Sequence, residues 1–209
     1  GIRGHLRGRC AVILSSRRLQ TLASTLAVAS VALLGGYSAA SAQAPAKPKL
    51  TASGIEAPKS MIWIGNSFFY YNNSMHGHFF QLVRAGEPKY SLRQSSVTIS
   101  GSGFGWHDVE AYFKPNAIGS YSFDANNNVV FNKIEKLFDL AVMMDCSQCP
   151  IHPQLSGTFS EFAKRYSDTA RKNGAKPVFF MSWAYADKPE MTNQLADAYV
   201  KAANDNDAF

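Results

Sequence analysis

Ser67 follows the apolar run Met61-Ile62-Trp63-Ile64-Gly65 with only Asn66 between them. A short apolar run that ends at glycine reads as a buried parallel strand. The glycine lets the backbone turn tightly enough to present a hydroxyl beyond the strand's end. A serine there is a candidate nucleophile, or it caps a turn; spacing alone leaves both readings open. Attack at neutral pH also needs a base. The histidines are His5, His76, His78, His107 and His152. His107 stands seven residues after Ser100 and either approaches Ser67 or holds a loop or pocket wall; the second reading is the one taken here. His76-Gly77-His78 does not read as a metal site, because helical residues two apart do not face each other and no carboxylate is near in sequence.

The second reactive pattern is Cys146-Ser147-Gln148-Cys149. A Cys-x-x-Cys after a strand fits thiol–disulfide exchange, a local disulfide, or two packed thiols. The intervening Ser-Gln differs from the Gly-Pro of thioredoxin-like motifs. One such pair supplies too few ligands for a structural zinc site. Neither a metal nor a cofactor is expected.

These residues need strands and helices to position them. Ser74 is placed to cap a helix that puts Met75, Phe79, Leu82 and Val83 on one face and closes at Gly86. Residues 96–100, with Val97, Thr98 and Ile99, read as a strand. Residues 121–123 and 129–131 flank Asp124 and Asn128 as a hairpin. Residues 137–144 form another apolar strand. Thr158-Phe159-Ser160-Glu161 has capping-box spacing and starts a helix that buries Phe159, Phe162, Ala163, Tyr166 and Ala170, with Gly174 closing it. A strand over 177–183 follows, then a helix over 189–203 with Met191, Leu195 and Tyr199 on one side. Alternating strands and helices predict a parallel sheet covered on both faces. In such a sheet ligands gather beyond the carboxyl ends of the strands. Those ends are Gly65-Asn66-Ser67, Ser100-Gly101-Ser102-Gly103, Asp145 to Cys149, and Ser182-Trp183-Ala184.

Composition narrows the function classes. The 209 residues are 46% hydrophobic and 17% charged, which suits one globular core and excludes coiled-coil and disordered classes. The formal charge is +6, but residues 1–42 hold five Arg and no acid. The rest carries 16 basic against 15 acidic residues, so no nucleic-acid surface is expected. Residues 1–42 read as a signal peptide. Arg17-Arg18 is the charged flank, 19–36 is apolar and uncharged, and Ala40-Ser41-Ala42 is a small-x-small cleavage site. The apolar stretch is short for a span of about 20 residues. The product is expected to be periplasmic or secreted, without a stable membrane span after cleavage. Residues 43–59, rich in Pro, Ala and Lys, read as a flexible linker, and 60–209 as one domain.

Ile62-Trp63-Ile64-Gly65-Asn66-Ser67-Phe68 resembles the first block of the SGNH (GDSL-like) hydrolases, in a branch where Gly-Asn-Ser-Phe replaces Gly-Asp-Ser-Leu. Ser100-Gly101-Ser102-Gly103-Phe104-Gly105-Trp106-His107 resembles the glycine block, and 143–150 stands in the third-block position. Phe179-Phe180-Met181-Ser182-Trp183 resembles the next strand, so the likeness runs over about 60–205. It implies a flavodoxin-like three-layer α/β/α sandwich with a mainly parallel sheet. It also implies hydrolysis of a small-molecule or carbohydrate ester, O-acetyl esters included. Ser67 would be the nucleophile, and the N–H groups of Ser67 and Gly101 would donate to the oxyanion, with no Cβ at 101 to crowd it. The family's third donor is a side-chain amide after the third strand, where Met144 or Asp145 stands; Gln148 is the nearest amide and Asn66 an outside substitute or turn support. The family's carboxyl-terminal Asp-x-x-His does not occur by Phe209. The expectation is therefore a fragment that lacks the last strand, that block and the last helix. The alternative is a non-catalytic binding module.

The leader generates a direct test. Amino-terminal sequencing of exported protein should begin at Gln43, and an intact leader on membrane-bound material would contradict cleavage.

Overall fold

The computed structural model describes residues 46–52, 54–55, 57–118 and 120–209. The leader, its cleavage site and Cys10 lie outside the described residues. Among those described, no helix is long and apolar enough to cross a membrane.

Four parallel strands form the central sheet in the order β2-β1-β5-β6: β1 (Ser60–Gly65), β2 (Arg93–Thr98), β5 (Leu140–Met143) and β6 (Lys176–Phe179). β1 is buried along its whole length, as its unbroken apolar run requires. Its side chains alternate between two cores. Ile62 and Ile64 join Ala141 and Met143 of β5 against α4 (Ser156–Lys172) and α5 (Met191–Asp205). Met61 and Trp63 join Val142 and Met144 against Phe69 of α1 (Ser67–Tyr70) and Met75, Phe79 and Val83 of α2 (Met75–Gly86). The result is an α/β fold in three layers.

The helices largely follow their periodicity. Ser74 Oγ accepts the Gly77 N–H and caps α2. Phe159, Ala163, Tyr166 and Ala170 of α4 are buried, as are Met191, Leu195 and Tyr199 of α5. Leu82 departs from expectation: it is 72% exposed, because the apolar stripe of α2 narrows to Met75, Phe79 and Val83. α4 begins at Ser156, ahead of the capping box. The His152 carbonyl already accepts the Leu155 and Ser156 N–H groups, so Thr158 lies inside the helix. The positive φ of Gly174 ends it.

Strand limits differ more. β2 starts at Arg93 and stops at Thr98, because pairing with β1 rather than apolar pattern sets it. β5 and β6 are shorter than the apolar runs that contain them. The outer edge of β6 is partly occupied by Phe209. Its N–H donates to the Pro177 carbonyl, and its own carbonyl accepts the Phe179 N–H, a parallel-type bridge.

Between α3 (Val109–Tyr112) and β5 stands the expected hairpin, β3 (Tyr121–Phe123) with β4 (Val129–Phe131). Residues 46–52 are irregular, yet they are fastened to α5: the Ala46 N–H donates to Asp197 and the Lys49 N–H to Asn204.

Candidate active site

Three loops meet beyond the carboxyl ends of β1, β2 and β5, and the Asn66 side chain joins them. Its Nδ2 donates to the Ser102 carbonyl at 3.0 Å and to the Asp145 carbonyl at 3.1 Å. Its Oδ1 accepts the Phe68 N–H and so caps α1. Both amide protons are thereby committed, and none remains for an oxyanion. Of the two roles the sequence left open for Asn66, this geometry is that of turn support.

Ser67 is the first residue of α1 and half-buried. Among the described residues, neither its hydroxyl nor its N–H has a hydrogen-bond partner. Gly65, two residues earlier, has no positive φ. Its lack of a side chain serves packing instead, since a Cβ would come within 2.8 Å of the Phe69 ring.

Gly101 lies in the turn closed by the Ser102 N–H to the Ile99 carbonyl. Its φ is +71°, a region that strains any residue with a Cβ. A Cβ there would have open space, so conformation and not crowding demands glycine. The Gly101 N–H also has no partner among the described residues.

His107 sits behind this loop and is buried. Its Nε2 lies 3.1 Å from both the Gly65 carbonyl and Ser102 Oγ, and its Nδ1 lies 3.2 Å from the Tyr112 hydroxyl. Burial lowers its pKa, partly offset by the bond to Gly65. With both ring nitrogens engaged, it braces the turn and has no lone pair for Ser67. None of the other described imidazoles hydrogen-bonds to Ser67 either.

Two cavities flank the region. One, of about 520 Å³, is lined by Gly101, Trp106, Asp145, Cys146, Cys149 and Phe162 among others. The other, of about 320 Å³, is lined by Phe68, Tyr71, Asn72, Met75, His78 and Trp183. Ser67 lies between Asn66, tied to the first cavity's loops, and Phe68, in the wall of the second. Gln148 precedes the short 3-10 segment Cys149–Ile151 and lines neither cavity.

Asp145 is the feature that sequence reading valued least. It is 2% exposed, and its Oδ1 accepts the N–H groups of Phe104 and Cys146. Oδ2 has no partner among the described residues. Burial raises its pKa to about 6, against the opposing pull of those two N–H groups. Its position at the end of an apolar strand, ahead of a Cys-x-x-Cys, was the available signal. The two cysteines form a disulfide. With Asp145 they bring one carboxylate oxygen and two sulfurs within 4.8 Å, a grouping that could hold a metal only once the thiols were free.

No family model matches the chain, and no curated protein matches it. Among solved structures, a candidate SGNH hydrolase from Slackia heliotrinireducens is similar with a TM-score of 0.46 at 18% identity, over 71% of this chain and 76% of that one. TesA is similar with a TM-score of 0.43 at 16% identity, over 71% and 75%. These likenesses carry no chemistry over to the present chain.

The raised pKa of Asp145 makes stability depend on pH. The folded state holds the extra proton between its unfolded pKa, near 3.8, and its folded pKa, about 6. The resulting stability is complete below the unfolded value and is lost as pH rises through about 6, a change of about 3 kcal/mol. Asp145→Asn keeps the Oδ1 acceptor and should remove that contribution, gaining on the wild type from pH 4 to 7 in urea unfolding. Parallel pH profiles for the two proteins would contradict the assignment.

Proposed function

We propose that the protein is an exported SGNH-type serine ester hydrolase with Ser67 as nucleophile. The observation that carries this reading is a hydroxyl and two backbone N–H groups left without partners on two loops that one side chain ties together. The Ser67 hydroxyl, the Ser67 N–H and the Gly101 N–H have no partners among the described residues, and Asn66 ties their two loops together. Ser67 Oγ attacks the acyl carbon while a base takes its proton. The tetrahedral oxygen accepts hydrogen bonds from the two free N–H groups. Donors of this kind are worth about 10²- to 10³-fold in turnover each. The protonated base then delivers its proton to the leaving alkoxide, and water releases the acyl group from Ser67.

The base is the part that these residues do not supply. The proposal puts it on an Asp-x-x-His carried by chain beyond Phe209. The parallel pairing of Phe209 with β6 is compatible with a further strand that would bring such a block to this end of the sheet. The substrate is an ester of small-molecule or carbohydrate type, O-acetyl esters included, and the site of action is periplasmic or extracellular. That no imidazole among the described residues bonds to Ser67 favours a second reading, a non-catalytic module that binds such ligands. The reading frame past Phe209 separates the two: an Asp-x-x-His within one strand and loop supports the enzyme, and a stop codon supports the module.

In a chain extended through that block, Ser67→Ala should abolish ester hydrolysis and lower stability by about 1 kcal/mol or less. Gly101→Ala should also slow turnover, through the strain of a positive φ. The chain ending at Phe209 should react poorly with a fluorophosphonate. Strong labelling of it at Ser67 would contradict the missing base, and wild-type hydrolysis by Ser67→Ala would overturn the assignment of the nucleophile.

A further inference from the structure

The ester-hydrolase reading leaves the disulfide and the buried carboxyl beside it without a task. Both lie in the wall of the cavity of about 520 Å³. Cys146 is half-buried and Cys149 buried, so Cys146 offers the more open sulfur. The Asp145 carboxylate is within 4.8 Å of both sulfurs. The Cys149 N–H donates to Cys146 Sγ at 3.0 Å, a contact that would stabilise a thiolate there. Among the described residues lining the cavity, Asp145 is the only ionisable group apart from the bridged cysteines. Tyr199 of α5 backs it, accepting the Asp145 N–H at 3.3 Å. The other walls are apolar or neutral: Trp106, 66% exposed, with Phe104, Leu155, Thr158 and Phe162.

We infer that the Cys146–Cys149 pair is a thiol–disulfide exchange site that oxidises dithiols borne on apolar peptide segments, with Asp145 moving the proton. A thiolate of the substrate attacks Cys146 Sγ. The bond between the cysteines breaks, a mixed disulfide forms on Cys146, and the electron pair goes to Cys149 Sγ. The neutral Asp145 carboxyl gives that sulfur its proton. The ionised carboxylate then takes the proton of the second substrate thiol, whose sulfur attacks the substrate sulfur of the mixed disulfide. Cys146 leaves as a thiolate and is protonated from solvent. The substrate dithiol ends oxidised to a disulfide, and the protein disulfide ends as two thiols.

Three features favour this over a purely structural bridge. The disulfide faces a cavity rather than the core. A carboxyl that burial keeps about half protonated at pH 6 stands beside the leaving sulfur, where general-acid help is needed. The largely apolar walls suit an apolar peptide arm better than the polar glutathione.

The test is a single-turnover assay on the protein as it stands. Oxidised protein is mixed at pH 6 with a synthetic Leu-flanked dithiol peptide, and products are trapped and weighed. The assay contains no ester, so its outcome is independent of any role of Ser67. Peptide oxidation should run at least tenfold faster than with the isolated oxidised peptide Asp-Cys-Ser-Gln-Cys-Pro. Asp145→Asn should slow it about tenfold at pH 6. Trp106→Ala should slow it for the Leu-flanked peptide but not for dithiothreitol. With the protein reduced and the peptide supplied as its disulfide, Cys149→Ser should accumulate a mixed disulfide on Cys146. A rate equal to the isolated peptide's, or one unchanged in Asp145→Asn, would overturn the proposal. Faster oxidation of glutathione than of the peptide would overturn the apolar-peptide assignment.

Discussion

The Asn66 carboxamide fixes the geometry on which everything else at this end of the sheet depends. One side chain donates to the Ser102 carbonyl and to the Asp145 carbonyl, and accepts the Phe68 N–H. It therefore sets the relative positions of the loops after β1, β2 and β5. The site is buried, so losing one of these bonds would leave a carbonyl unpaired away from water, at about 1–3 kcal/mol. Behind it, His107 holds the Gly65 carbonyl, and the Tyr166 hydroxyl of α4 reaches the carbonyls of Phe104 and His107. The glycine loop is thus held from the strand side by Asn66 and from the helix side by Tyr166.

That bracing explains why a few polar groups can remain unused. The Ser67 hydroxyl and the N–H groups of Ser67 and Gly101 are among the groups at this end of the sheet that have no partner among the described residues. Preorganised donors do not have to reorient as charge develops, which is the main source of their catalytic value. The same enclosure acts in the opposite sense on Asp145. A carboxylate with two N–H bonds would ordinarily be easier to ionise, but burial outweighs them. The two effects make one end of the sheet rich in groups held away from their solution behaviour.

Much of the fold was legible in the sequence because burial writes itself into pattern. β1 lies between two helical layers, and a run with no polar break is the pattern that burial demands. α4 and α5 showed their inner faces by period. β2 was only half legible, since it has one strand neighbour and its residues 93–96 are polar. The Gln94 side chain there accepts the Trp63 indole N–H, a contact that no periodicity announces. At the candidate site, Ser67 was readable from its place after an apolar strand, but the glycine expected to turn the chain was Gly65, whereas the positive φ falls at Gly101, which only the family resemblance had singled out. The tasks of Asn66, His107 and Asp145 were not readable, because they depend on partners 36 to 79 positions away in the chain.

The central claim is that the free N–H groups of Ser67 and Gly101 converge on the oxygen of a tetrahedral adduct at Ser67. A crystal structure of the protein carried past Phe209, after reaction with an alkyl phosphonate, measures this directly. The account predicts phosphorus bonded to Ser67 Oγ, with one phosphonyl oxygen within hydrogen-bonding distance, about 3 Å, of both nitrogens. An adduct on another residue, or one whose phosphonyl oxygen turns away from Gly101, would contradict it.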